Sequence, residues 1–471
     1  MSDIGKKLEK LGVEIPEILL PEGVDLRQWA VIACDQFTQD RVYWEKARES
    51  AAGAPSTLNM IFPEVFLADA DPSRRIGNIH RTMREYTDSG VFAPNRGFVY
   101  LERDTPFNRG RKGLVAAVDL EQYDWSPTAR PLIRPTEGTI AERLPPRMDI
   151  RRNAPVELPH ILLLIDDDND VLLRGLGERA RKNAPVYQGE LMLNSGSLSG
   201  WSLNSPDDWA FFAEGLEDLS RRALTRYSAG NVSGEQPFLF AVGDGNHSLA
   251  SAKGIWEEYK RSQGAALPDG AAHSGFTLPV HPCRYALVEI ENIYDPAIRF
   301  EPIHRVMFGL GFDEMLKLLS TLPHFSSRII ATREDLIRQC AEPVKGNRFG
   351  LASSAGGAVS NGGAVDGNRY ALIETSAGGI ATASLQPLLD QAISNDDKLS
   401  IDYIHGEDEL FRLASGSNGP VTGILLPPVQ KAGFFETVAR CGPLPRKSFS
   451  MGEAEEKRFY VECRKLFAAK V

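Results

Sequence analysis

Between the apolar run "FLFAV" and the helical period of "LASAKGIWEEYK" lies Gly243-Asp244-Gly245-Asn246-His247-Ser248. An acid, a histidine and small residues therefore share one strand-to-helix turn. A helix beginning near Asn246 or His247 presents backbone N–H groups and partial positive charge at its first turn. Gly243 and Gly245 let the chain curl and approach a ligand without Cβ obstruction. Together with Asn246 and Ser248 they outline an anion site of the kind used for phosphates. His247 would donate to a phosphate oxygen or shuttle a proton. Asp244 would repel bare phosphate, so it makes sense as a magnesium ligand or as the base for an incoming hydroxyl. The structural alternative is a plain helix start, with Asp244 or Asn246 as cap and His247 as a turn residue.

Other groups have chemistry to offer. Arg134-Pro135-Thr136-Glu137 opens an Arg-rich stretch with Glu142, Arg143, Arg147, Arg151 and Arg152. Glu137 suits a general base or metal ligand and the arginines suit phosphate charge; the alternative is a solvated charged loop and helix. His304-Arg305 in "RFEPIHRVMFG" fits a phosphate or carboxylate, or a helix-start histidine beside a surface ion pair. Asp35-Gln36-Phe37-Thr38 follows a short apolar run, and strand ends in α/β folds often face ligands. The expected role for that turn is nonetheless to cap the helix "DRVYWEKARES". Cys34 reads as a buried thiol. "DDDND" at 166–170 lacks the Gly and distal Glu of a calcium loop and reads as a hairpin turn. No Gly-x-Ser-x-Gly elbow and no HExxH pair occurs.

These residues need elements to hold them. "GFVYLERDTPFNRGRKGLVAAVDLEQYDW" reads as two strands about an Arg/Gly-rich turn, and "LPHILLLIDDDNDVLLRGL" as a strand, a turn and a returning strand. "RIGNIHRTMREYTDSGVF" and "SPDDWAFFAEGLEDLSRRAL" carry helical spacing, the second behind a helix-start signature. Later come a strand ("RYALVEIENI"), a helix ("FDEMLKLLSTL") and paired strands around a Gly/Ser/Ala tract at 353–368, read as a hairpin tip. Mixed α/β architecture follows, and the hairpins exclude an all-parallel sheet.

With 471 residues, at about 150 per domain, two or three packed units are expected. The boundary falls at 261–280, poor in large apolar groups, giving a domain at 1–265 with the elbow and another at 280–471. A net charge of -10 argues against nucleic acid and anionic membrane as generic partners. No stretch approaches the ~18 apolar residues of a membrane helix, and the start lacks the apolar core of a secretory signal. Five scattered cysteines without a CxxC pair suit reduced thiols. A cytoplasmic protein is the expectation.

The sequence also resembles the prokaryotic family catalogued as domain of unknown function 1015. There the elbow reads Asp-Gly-His-His-Arg; here it is Asp244-Gly245-Asn246-His247-Ser248. "LIRPTEGTIAERLPPRMDIRR" resembles the family's Arg-Pro-His-Glu-x-Thr segment and "ELMLNSGSLSGW" its Gly-containing strand. "FEPIHRVMFG" resembles Leu-Pro-Thr-His-Arg, and "GPLPRKSFSM" the terminal Met-Pro-x-Lys-Ser-Thr. A more distant similarity links the elbow to ParB-like, sulfiredoxin-like and free-serine-kinase proteins. That resemblance implies a ParB/sulfiredoxin-like strand-elbow-helix unit binding ATP or another nucleotide with Mg2+, and phosphoryl transfer to a small polar metabolite such as an amino acid.

In that picture Asp244, His247 and Glu137 do the chemistry, and Asp244 holds the metal. Gly243, Gly245, Asn246, Ser248, Arg134, His304 and Arg305 bind the nucleotide. Ser248 departs from the pattern, standing where an arginine would grip phosphate. Lys253 lies one and a half turns along the helix, so another arginine must supply the charge. A nucleotide or metabolite sensor without catalysis, and a small-metabolite hydrolase or isomerase using the His/Asp pair, remain the alternatives.

Overall fold

The computed structural model describes residues 2–227, 236–263, 281–354, 367–378, 380–416 and 419–467. It is a mixed α/β fold. The chain forms two compact units, Met1–Arg299 with Met451–Val471, and Phe300–Ser450. Residues 264–280 of the compositional boundary lie outside the described residues, as does the tip of the tract at 355–366.

The first unit is built on a mixed sheet. Its main strands are β1 (Phe98–Asp104), β2 (Arg111–Asp119), β3 (Ile133–Pro135), β4 (Leu162–Ile165), β5 (Tyr187–Glu190), β6 (Ser197–Leu203), β7 (Phe240–Asp244) and β8 (Tyr285–Asn292). They lie in the order β5-β6-β1-β2-β8-β4-β7-β3. β1 and β2 form the expected antiparallel hairpin, with Val99 opposite Val115. β8 runs parallel to β4, β4 antiparallel to β7, and β7 parallel to β3. β4 and β7, both with a strand on either side, are buried along Leu162–Ile165 and Phe240–Val242. Their continuous apolar runs are what burial on both faces requires.

One hairpin expectation is not met. After β4 the chain enters a helix, Leu172–Ala180, and no strand returns. The physical reason lies in the "DDDND" turn: Asp167 accepts the Leu172 N–H (2.8 Å) at the helix start. Arg226 also pairs with Asp166 (2.9 Å) and Asp168 (2.6 Å). The acids are spent on helix initiation and on the helix Pro206–Tyr227.

Two helices frame the elbow. α1 (Leu144–Arg151) packs against α2 (Asn246–Ser262) so closely that a Cβ on Gly254 would meet Met148 Cε at 2.9 Å. α2 buries Leu249, Ala252, Ile255 and Trp256, one face at three- and four-residue spacing.

The second unit carries an antiparallel sheet of β9 (Phe300–Phe308), β10 (Ser326–Ile330), β11 (Asn347–Ser354), β12 (Asn368–Thr375), β13 (Ser400–His405) and β14 (Val421–Leu425). Their order is β10-β12-β11-β14-β9-β13. Alternate residues feed two cores: Met307, Leu351 and Ile373 go to one, Val306, Ala352 and Leu372 to the other. That is the period of two of a sheet covered on both faces.

Candidate functional site

The elbow is formed as the residue types require. β7 ends at Asp244, Gly245 takes the left-handed conformation (φ 80°), and α2 starts at Asn246 without a side-chain cap. A Cβ on Gly245 would also meet Ile161 Cα at 3.1 Å, so any side chain there is both strained and crowded. Gly243 has a different reason to be glycine. Its Cβ position is filled by Met451 Sδ (2.5 Å) and Leu164 Cγ (3.0 Å), so packing accounts for it.

Asp244 lies flat in the turn. Oδ1 accepts the Gly245 N–H (3.0 Å) and Oδ2 receives the Lys457 ammonium (3.2 Å). Both oxygens are engaged, and among the described residues no group of three or more His, Cys, Asp or Glu side chains is placed to hold a metal ion. The magnesium-ligand role expected for Asp244 does not fit this arrangement. Lys457, with its side chain 9% exposed, has no signal in the sequence around it and enters only through the fold.

His247 Nε2 accepts the Ile140 N–H (3.3 Å), so a neutral ring carries its proton on Nδ1. Thr136 Oγ1 donates to Val242 O (2.6 Å). These two bonds lay the loop 136–140, with partly exposed Glu137, along the elbow. Asn246 Oδ1 is buried and meets no donor among the described residues.

Ser248 is placed by register. Asp244 pairs with Leu162, which brings the lead-in to β4 against the first turn of α2. There Ser248 Oγ lies 2.8 Å from His160 Nε2, and His160 Nδ1 lies 2.8 Å from the Tyr460 hydroxyl. Tyr460 oxygen accepts the Cys34 N–H (3.3 Å), held there by the pairing of Phe459–Tyr460 with Val31–Ile32. Asp35 Oδ2 stands 4.0 Å from His160 Nε2. The helix at Arg41–Ala51 is capped by Asp40, which releases Asp35 from the capping role expected of it.

Charge is distributed unevenly here. Burial pushes the Asp35 carboxyl up, but His160, the Gln36 amide, Lys457 and Arg147 outweigh it and hold the group below its usual range. Glu64, paired with Arg147, is raised by burial and by Asp35. Burial and Asp35 also push the Cys34 thiol up to about 12, leaving it inert as a nucleophile. A cavity of about 130 Å³ adjoins Ser248, His160 and Tyr460 and is lined as well by Met60, Phe62 and Met83.

Three expected ligands have other work. Arg134 is buried and donates to Pro131 O (3.0 Å) and Gln236 O (2.9 Å), its guanidinium over the Phe238 ring. It braces the chain beside β3. His304 and Arg305 lie on β9 in the second unit, on a strand and not at a helix start. His304 Nδ1 accepts the Leu426 N–H (3.1 Å), and burial, Arg305 and His405 depress its pKa to about 4. The ring is neutral and supplies no counter-charge. Arg305 is fully buried and donates to Gln386 Oε1 (3.1 Å) and Ile303 O. Lys253 donates to Leu120 O (3.0 Å), away from the first turn of α2. The site is thus built from first-unit residues: Asp35, His160, Asp244 to Ser248, Lys457 and Tyr460.

This is a mixed α/β protein with a glycine-led elbow at a strand end. A family model described as protein of unknown function (DUF1015) matches residues 19–368, and the chain belongs to that family. No curated protein matches it significantly. Similar solved structures include a conserved hypothetical protein from Pyrococcus furiosus, at 10% identity, covering 74% of this chain and 90% of that one with TM-score 0.31. A mutant free serine kinase in complex with AMP shows 11% identity, 77% and 94% coverage and TM-score 0.35. A truncated SbnI from Staphylococcus aureus shows 10% identity, 74% and 85% coverage and TM-score 0.31. None of these likenesses assigns a role to a residue of this chain. Among the described residues no helix is long and apolar enough to cross a membrane.

Proposed function

We propose that the elbow binds the phosphates of a nucleotide and that the protein transfers a phosphoryl group to a small polar metabolite, an amino acid being one such acceptor. The observation that carries this reading is the start of α2: a 17-residue helix opening at Gly245 with no side-chain cap, at a strand end. An anion at such a terminus gains about 0.3–2 kcal/mol from the dipole and direct N–H bonds besides. Lys457 supplies the cation that an arginine at position 248 would have given, and His247 stands in the first turn of α2. Asp35, charged at neutral pH, and Glu137 are the candidate bases for the acceptor. The orphan Asn246 oxygen suits a ligand hydroxyl or amine. No step is assigned to a metal.

Thermal shift against a nucleotide panel, with and without magnesium, is the first test. Stabilisation by at least one nucleotide, reduced in Lys457→Met, is expected; none from any nucleotide refutes the reading. Consumption of the bound nucleotide with pooled small metabolites then separates transfer from binding alone.

A further inference from the structure

We propose that Ser248 is a nucleophile, activated by His160, and that it takes the phosphoryl group from the nucleotide as a covalent phosphoserine. The proposal rests on the phosphate reading of the elbow and adds an intermediate to it.

The hydrogen-bonded chain has the lengths that the step needs. Tyr460 oxygen accepts the Cys34 N–H at 3.3 Å and lies 2.8 Å from His160 Nδ1. With the His160 proton on Nδ1 and donated to that oxygen, Nε2 turns a lone pair toward Ser248 Oγ at 2.8 Å. This is the arrangement of a serine paired with a general base whose other nitrogen is fixed by a third group. Tyrosine takes the orienting place, and burial raises its own pKa well above the usual value, so it stays neutral. Asp35 Oδ2, 4.0 Å from Nε2, stabilises the imidazolium formed. Ser248 itself sits in the first turn of α2, beside the backbone N–H groups that would hold the terminal phosphate.

The step balances. Oγ–H gives its proton to His160 Nε2, and the Oγ lone pair bonds the terminal phosphorus. The bond from phosphorus to the bridging oxygen breaks, and the diphosphate leaves with that electron pair. After the imidazolium proton passes to solvent, the acceptor hydroxyl gives its proton to His160, which on this two-step route takes the base role otherwise open to Asp35 or Glu137, and bonds phosphorus. The P–Oγ bond breaks with its pair on Oγ, which takes that proton back.

Separate samples of the full-length protein are treated with a fluorophosphonate probe and with γ-labelled nucleoside triphosphate, and labelled peptides are identified by mass spectrometry. Both labels are expected on Ser248. Ser248→Ala should lose both, and His160→Gln should slow both by roughly 100-fold without loss of nucleotide-induced thermal stabilisation. Labelling by the probe in a protein that binds no nucleotide would leave the nucleophile standing and sink the phosphotransferase reading. Nucleotide consumption without label on Ser248, or no probe labelling, would overturn the inference.

Discussion

Replacing Lys457 by methionine keeps the buried stem and removes only the ammonium. At 3.2 Å and an effective dielectric constant of about 20, the pair with Asp244 gains ~5 kcal/mol gross. Desolvation of the two ions takes back several kcal/mol, so a double-mutant cycle with Asp244→Asn should give a coupling of about 1–3 kcal/mol. Chemical denaturation of the four proteins measures it. Binding separates two possible roles. If Lys457 only holds Asp244 in place, the Asp244→Asn protein should bind nucleotide equally well with or without Lys457. If it meets phosphate, affinity should fall about 10–100-fold in both backgrounds, as loss of a charge-assisted bond implies. Calorimetric titration reads the difference. Unchanged affinity in both backgrounds would refute the placement of phosphate next to Lys457.

Three further outcomes are expected. His304 has its pKa depressed from 6.5 to about 4, so the unfolded chain binds more protons between those values; stability is full above about pH 6.5 and falls by up to about 3 kcal/mol toward pH 4. His304→Asn, which keeps an acceptor for the Leu426 N–H, should flatten that slope in urea titrations. Gly245→Ala should cost about 1–2 kcal/mol through its positive φ alone and weaken nucleotide binding, whereas Gly243→Ala should cost about 1–3 kcal/mol by overpacking Met451 with affinity retained in the folded fraction. Arg134→Met should lower stability by about 1–3 kcal/mol without changing nucleotide affinity in calorimetry, since its donors serve backbone carbonyls.

The elbow was legible because its signals are local. A buried apolar strand, glycine at a positive φ and one apolar helical face each lie within a few residues of chain. Those signals located Asp244 to Ser248 and the hairpin β1–β2. They could not tell an acid that starts a helix from one that turns a hairpin, which is why "DDDND" misled. Nor could they distinguish Asp35 from Asp40 as a cap, five residues apart in the same turn. His304 and Arg305 stand out in the sequence for their charge, but burial on β9 decides their state, and burial is a property of the sheet. Asp35 was legible as an acid at a strand end, but His160, Lys457 and Tyr460 lay beyond local reading altogether. What joins them is strand register: 162 beside 244, and 459–460 beside 31–32.

The return of the chain after Met451 has to be held accurately, and the sequence does this with buried charge. Arg458 lies between Lys457 and Tyr460, 3% exposed, and donates to Glu289 (2.7 Å), Glu462 (2.7 Å) and Pro159 O (2.7 Å). Pro159 precedes His160, so one guanidinium fixes both segments of the Ser248–His160–Tyr460 chain. A hydrophobic residue there would serve stability as well, because desolvating an ion pair offsets most of its attraction. It would not fix direction: apolar contacts tolerate small slips, whereas a planar fork with three acceptors does not. A relay of 2.8 Å contacts fails after a shift of an ångström. The buried Arg458 network is therefore best understood as a positioning device for the site.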